Sequence, residues 1–359
     1  MKIGILTQRL YNNYGGILQN YALQQVLKDL GHNPITIDHR PRNNLFFYLI
    51  TQVRTLFFYF IPGKRRNFIK YQRKPRRSKN LSLFINKNIN TTHRIQKIFS
   101  YIVSKYKFNA IIVGSDQVWR PKYNTLENTF LSFVKSENVL KIAYAASFGV
   151  NKWEYTDKQT QICANLARQF HAVSVREYSG IELCKNFLNI KAVETLDPTL
   201  LLDKNHYSNL CKGVEKKKKK FLAAYVLDMS EEKNHFIESF SKIKNIETVY
   251  FSAESKVSLS IEEWLSMFRD ASYIITDSFH GTIFSLINEK PFISLVNKRR
   301  GADRFYSILT KIGLEYRAIS EPEFQSFEDK PIDWKLVSST IDIKKRESID
   351  FIKKSLVNN

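Results

Sequence analysis

The sequence predicts an α/β chain built from two doubly wound domains facing each other across a cleft. Three observations lead there. Short β-branched runs alternate with segments of helical apolar spacing along most of the chain. Those runs end in small polar or glycine-containing turns, which is how the strands of a parallel sheet hand over to helices. The length of 359 residues exceeds what one ordinary hydrophobic core supports and suits two.

In chain order, Ile3 to Leu6 reads as a strand, Gly15-Gly16 as a turn, Ile17 to Leu30 as a helix stopping at Gly31, and Ile35 to Ile37 as the next strand. Further strands are expected at Ala110 to Val113, Ile142 to Ala145 and Ala172 to Val175. The second half repeats the pattern. Strands are expected at Phe221 to Val226, Thr248 to Phe251, Tyr273 to Ile275 and Pro291 to Leu295, and helices at Glu231 to Ile243, Ile261 to Arg269, Thr282 to Asn288 and Arg304 to Ile312. Such alternation implies mainly parallel sheets with right-handed crossovers. The boundary falls near Leu202 to Lys220, giving a Rossmann-like domain over 1–205 with a basic insertion at about 45–80, and a second over 206–359 ending in a helical tail.

The hydrophobic content of 43% and charged content of 25% mark a globular chain rather than a disordered one. A formal charge of +22 calls for anionic partners: phosphorylated substrates, a membrane surface or nucleic acid. Charge is the sole argument for nucleic acid, since no duplex- or RNA-binding motif accompanies it, and none is expected as a partner. Cys163, Cys184 and Cys211 lack metal-type spacing and cannot all pair, so they read as reduced thiols of a cytoplasmic protein with no metal site. The N-terminus enters a buried-type strand at once, without a secretory signal.

Leu45 to Pro62 is apolar but interrupted by Gln52 and Arg54, too short and polar for a membrane span. Nine Lys and Arg residues stand between it and Lys79 inclusive, with no acidic residue. That pattern fits either an element lying on the inner face of an anionic membrane or a helical hairpin with a solvated basic face. The run Lys216 to Lys220 reads as a solvated interdomain segment.

The chemistry gathers at the predicted strand ends. After Tyr273 to Ile275 comes Thr276-Asp277-Ser278-Phe279-His280-Gly281-Thr282, placing His280 at a helix N-terminus, where unpaired N–H groups attract anions beside a side chain that titrates near neutral pH. Asp277 or Ser278 would cap that helix. The loop after the first strand carries Gly15 and Gly16, which permit close backbone approach, and the amides Asn12, Gln19 and Asn20, suited to hydroxyls. It lacks the G-x-G-x-x-G fingerprint, so no nicotinamide cofactor is expected. Asp116 could take a proton from a sugar hydroxyl and Trp119 stack on a sugar face, or the first could cap a helix and the second belong to the core. Arg176 offers a planar donor fork for a carboxylate or phosphate, and pairing with its neighbour Glu177 is not expected because adjacent side chains diverge. Arg299, Arg300 and Arg304 form a last cationic group just after a strand.

These segments, in this order, resemble the polysaccharide pyruvyl transferase family. The matching pieces are the stretches 14–24, 113–119, 144–149, 174–177, 196–202 and 276–282. The resemblance implies a GT-B-like architecture and transfer of the carbon skeleton of phosphoenolpyruvate onto two hydroxyls of a sugar, giving a cyclic ketal and phosphate, with no cofactor. It implies His280 as the acid, Arg176 with one or more of Arg299, Arg300 and Arg304 as donor ligands, and Asp116 as base or acceptor ligand. Gly15, Gly16, Gln19, Asn20 and Trp119 would face the sugar, carried by a polysaccharide or an undecaprenyl-linked precursor. In many members an Arg stands two places before the His; here that donor-site position is Ser278. The alternative is a GT-B glycosyltransferase using a nucleotide sugar.

Overall fold

The computed structural model describes residues 1–40, 78–252, 259–296, 301–321 and 324–357. The segment expected to meet a membrane, up to residue 77, and the donor-site candidates Arg299 and Arg300 lie outside the described residues.

Two all-parallel sheets organise the chain. The first contains β1 (Lys2–Leu6), β2 (Asn33–Thr36), β3 (Ala110–Val113), β4 (Leu140–Ala146), β5 (Ala172–Val175) and β6 (Val193–Glu194), in the order β2-β1-β3-β4-β5-β6. The second contains β7 (Phe221–Tyr225), β8 (Glu247–Phe251), β9 (Tyr273–Thr276), β10 (Phe292–Leu295) and β11 (Ala318–Ile319), in the order β11-β10-β9-β7-β8. In both, the order turns back on itself beside the first strand, between β1 and β3 and between β7 and β9. Side chains gathered beyond the carboxyl ends at those two switch points line the place where open α/β sheets bind ligands.

The strands are continuous apolar runs because helices cover both faces of each sheet. Ile3, Ile5, Ala110 and Ile112 point into one apolar cluster, while Leu6, Ile111 and Val113 point into another. In the second sheet Phe221, Ala223 and Ile274 share the first cluster, and Leu222, Ala224 and Ile275 form a third behind it. The first cluster therefore runs unbroken through both halves, so the two sheets are joined by a dry interface, with Tyr14 stacked on Trp264 at 5.5 Å and 6°. The C-terminal helix, Trp334–Ser355, packs on the Pro198–Leu201 turn of the first half, and the backbone N–H of Leu196 donates to Ser348 Oγ at 3.0 Å. No helix among the described residues is long and apolar enough to cross a membrane.

Several boundaries differ from the sequence expectation for identifiable reasons. Gly15-Gly16 is not a turn: Asn13 Oδ1 accepts from Gly16 N at 3.1 Å, and the helix starts at Tyr14. Ser278 caps in the same way, so the helix expected from Thr282 spans Phe279–Ile287. The edge strands β6 and β11 have two residues each, too few to show a period. Lys216 to Lys220 is exposed, as a solvated linker should be.

Trp119 is a core residue. It is fully buried, its ring lies 4.8 Å from Phe130 at 9°, and its Nε1 donates to the Thr129 carbonyl at 3.2 Å. The stretch after β3 turns Trp119 under the sheet, against Phe148 and Phe170, and no face is left for a sugar. Trp119→Ala should accordingly cost about 3–5 kcal/mol in stability; an unchanged denaturant midpoint would return this side chain to the surface.

Candidate active site

Four strand ends meet at the domain junction. His280 occupies the first turn of the Phe279–Ile287 helix, because β9 ends at Thr276 and Ser278 caps the helix after it. Asp277 is not available to a ligand: its carboxylate accepts from Leu227 N at 2.6 Å, Asp228 N at 3.0 Å and Lys233 Nζ at 2.8 Å, tying the loop to its neighbour. Ser278 is likewise committed, with Oγ accepting from Gly281 N at 3.4 Å.

The imidazole crosses to the other half of the molecule. A Cβ at Gly15 would sit 2.1 Å from the His280 ring, so the helix that opens the first domain touches that ring through a residue without a side chain. Gly15 is buried against that ring. Gly15→Ala should gain about 1 kcal/mol of helix propensity but force the buried ring aside, an overpacking that typically costs about 1–3 kcal/mol; turnover is expected to fall tenfold or more, and unchanged kinetics would show that the ring need not sit there.

Opposite the ring stands Asp197, fully buried, with Oδ2 at 3.6 Å from His280 Nε2. The same oxygen accepts from Arg176 Nη1 at 2.8 Å and from Ser115 Oγ at 3.1 Å, while Oδ1 accepts from Thr199 N at 3.0 Å and Thr199 Oγ1 at 2.7 Å. Burial would raise this carboxyl, but His280, Arg176 and Thr199 together hold it well below the usual carboxylate range. The sequence alone assigned Asp197 no role; its signal was an Asp-Pro inside one of the matching segments, three residues past the two-residue strand β6.

Arg176 leaves the end of β5 buried. Its guanidinium lies 4.5 Å from the centre of the Phe279 ring, with Nη2 at 3.6 Å from Asp116 Oδ1. Its Nε also comes to 4.0 Å from Glu177 Oε2, against expectation, because the strand stops at Val175 and Glu177 turns into the N-cap position of the next helix. Burial works against the Arg176 cation, yet Asp197, Asp116 and Glu177 outweigh it and raise its proton affinity. Glu177 accepts from Ser147 Oγ at 2.8 Å and Gly149 N at 3.0 Å, and burial raises its carboxyl in spite of these donors and Arg176. Arg304, on the Asp303–Lys311 helix, approaches the same Phe279 ring at 5.2 Å; burial, then the nearby Arg176, lower its pKa to about 10.

Arg176, Arg304, Asp116 and His280 are thus brought together, and Arg176 Nε, Arg176 Nη2 and His280 Nε2 are buried without a hydrogen-bond partner among the described residues. Buried N–H donors left unpaired are costly, so such a cluster suits an anion. Asp116 accepts from Gln117 N at 2.8 Å and from Asn13 Nδ2 at 3.3 Å, which fixes its carboxylate beside Arg176. The amides expected on the sugar are buried within the fold instead, Gln19 paired at both ends and Asn20 through its oxygen, with Asn20 Nδ2 left without a hydrogen-bond partner among the described residues. Gln19 is fully buried, donating to Thr7 Oγ1 at 2.8 Å and accepting from Ser115 N at 3.1 Å; Asn20 is fully buried and accepts from Thr36 Oγ1 at 2.9 Å. Gly16 packs against the Asn13 cap.

The profile of polysaccharide pyruvyl transferases matches residues 13–299, spanning every strand end described here. The chain belongs to that family. It is a transferase acting in pyruvyl transfer for polysaccharide biosynthesis. Comparison with curated proteins returns no match. Among solved structures the chain is similar to the S. aureus MnaA–UDP co-structure, at 10% identity over 99% of this chain and 96% of that one with a TM-score of 0.53, which shows the GT-B-like two-domain fold. Also similar are a UDP-GlcNAc 2-epimerase from Neisseria meningitidis (10% identity, 100% and 95% coverage, TM-score 0.46) and the SsfS6 glycosyltransferase of Streptomyces sp. SF2575 (9% identity, 99% and 96%, TM-score 0.40).

Proposed function

We propose that this pyruvyl transferase takes its pyruvyl group from phosphoenolpyruvate and places it on two hydroxyls of a sugar in a polysaccharide or lipid-linked precursor, releasing phosphate. The observation that carries the reading is the pair of buried Arg176 N–H donors, at Nε and Nη2, left without partners among the described residues beside His280 and Arg304. Phosphoenolpyruvate presents a carboxylate and a phosphate on adjacent groups, which a planar guanidinium fork and a second cation can hold together. Ser278 contributes no cation, so Arg176 and Arg304 carry that load.

In this reading His280 donates a proton to the methylene carbon, and the neighbouring carbon becomes electrophilic. One sugar hydroxyl adds there, passing its proton to Asp116. Phosphate then leaves with the C–O electron pair and takes the proton from Asp116, and the second hydroxyl closes the ketal as its own proton returns to the imidazole. The two cations stabilise the charge that grows on the departing phosphate. The apolar and then basic stretch Leu45 to Lys79 in the sequence supports an acceptor handled at an anionic membrane surface.

Calorimetry, with phosphate release measured across sugar acceptors, tests the donor. Phosphoenolpyruvate should bind without help from a nucleotide, and phosphate should appear only when an acceptor with two suitably placed hydroxyls is present. Binding of a uridine nucleotide with no response to phosphoenolpyruvate would overturn the reading in favour of a nucleotide-sugar glycosyltransferase.

A further inference from the structure

We infer that Asp197 is a positioning residue, a carboxylate from the first domain that faces the His280 imidazole of the second, fixes the way the ring is turned and sets it in register with Arg176. The inference rests on the reading of His280 as the acid and deepens it.

The geometry divides the carboxylate into two working ends. Oδ1 is saturated by two donors of one residue, Thr199 N at 3.0 Å and Oγ1 at 2.7 Å, which anchor it to the Pro198–Leu201 turn. Oδ2 is turned inward to Ser115 Oγ, Arg176 Nη1 and, at 3.6 Å, His280 Nε2. The ring is pressed from the other side by the helix at Gly15, so it cannot swing away from the carboxylate without leaving the junction. The oxygen that faces the ring is shared with Arg176, which in turn approaches Asp116 after β3 and its own neighbour Glu177, while Arg304 on the Asp303–Lys311 helix shares the Phe279 ring with Arg176. Among the described residues, Asp197 is the one carboxylate within ion-pair distance of the ring.

A strut whose sole task was to hold Arg176 would leave the ring indifferent to its charge, and this separates the two roles. The test is a ¹⁵N NMR titration of the full chain without substrate, with the His280 signals identified by their loss in His280→Gln. In Asp197→Asn the His280 midpoint should move to lower pH by about one unit or more, the direction expected when an opposite charge within about 4–6 Å is removed. The alkaline limb of the pH–rate profile should move with it. An unchanged midpoint in folded Asp197→Asn would overturn the inference. The wild type supplies a measurement that needs no variant to fold: its neutral His280 ring should carry hydrogen on Nε2, towards Asp197, and finding it on Nδ1 would equally overturn the assignment. No phosphoenolpyruvate is present in either titration, so a failed donor assay and a failed titration remain separate results.

Discussion

His280→Ala is expected to abolish turnover while leaving the fold intact. Protonation of a carbon by a positioned side chain contributes roughly 10²–10⁴-fold to a rate, and no other described histidine lies within ion-pair distance of the Arg176–Asp197 cluster. The imidazole sits in the first turn of its helix, capped by Ser278, so the backbone does not depend on it. Its removal leaves a cavity against Gly15 and Phe279 and takes from Asp197 one of the groups that hold it ionised, so the thermal midpoint should fall while the protein still folds. His280→Gln keeps much of the shape and can still donate an amide hydrogen bond, yet cannot deliver a proton, and should be equally inactive. Phosphate release measured beside thermal unfolding checks both variants. Activity within a few-fold of wild type in either would remove His280 as the acid.

Arg176→Ala should weaken donor binding and destabilise the protein together. Loss of a charge-assisted bidentate contact costs roughly 1.5–3 kcal/mol, so the apparent donor KM should rise about tenfold or more. The same change strands Asp197 and Asp116, buried beside it at 2.8 and 3.6 Å. Breaking a buried pair from one side typically costs about 3–5 kcal/mol, because the remaining charge stays desolvated. Resistance to acid should change as well. The folded-state Asp197 carboxyl lies below its ordinary range, so it stabilises the fold at neutral pH, and that contribution is lost as pH falls through the folded value. Without Arg176 that value rises, and acid unfolding should begin at higher pH than in the wild type. Arg304→Ala, already held with lowered proton affinity, should affect the donor KM with a smaller stability loss. A wild-type KM in both variants would place phosphoenolpyruvate elsewhere.

Much of this was legible in the sequence because parallel sheets announce themselves. A strand covered on both faces must be apolar throughout, so Ala110 to Val113 and Ala172 to Val175 match the observed strands residue for residue. Caps were harder to read: Asn13 and Ser278 begin their helices earlier than the apolar spacing does, since capping is a matter of one hydrogen bond rather than of period. The site divides in the same way. His280, Arg176, Asp116 and Arg304 stand at or just after strand ends, and topology carries such positions to a switch point. Gln19, Asn20 and Trp119 stand beside those positions in the chain but point elsewhere, a difference of side-chain direction that composition does not record.

The sequence by itself determined the two parallel sheets, the family and the residue types at the strand ends, since each is written in local order: apolar runs, the polar residues that stop them, and motifs in a fixed succession. Only the tertiary structure decided which of those residues face one another. His280 and Gly15 are separated by most of the chain, and the Phe279 ring and Arg304 lie far along it from Arg176; their contacts depend on how two domains close over a shared apolar core. Asp197 shows the reason most plainly. Nothing in its neighbours distinguishes it from a helix-capping aspartate, and it becomes the centre of the site because burial brings one carboxylate to an arginine of its own domain and a histidine of the other.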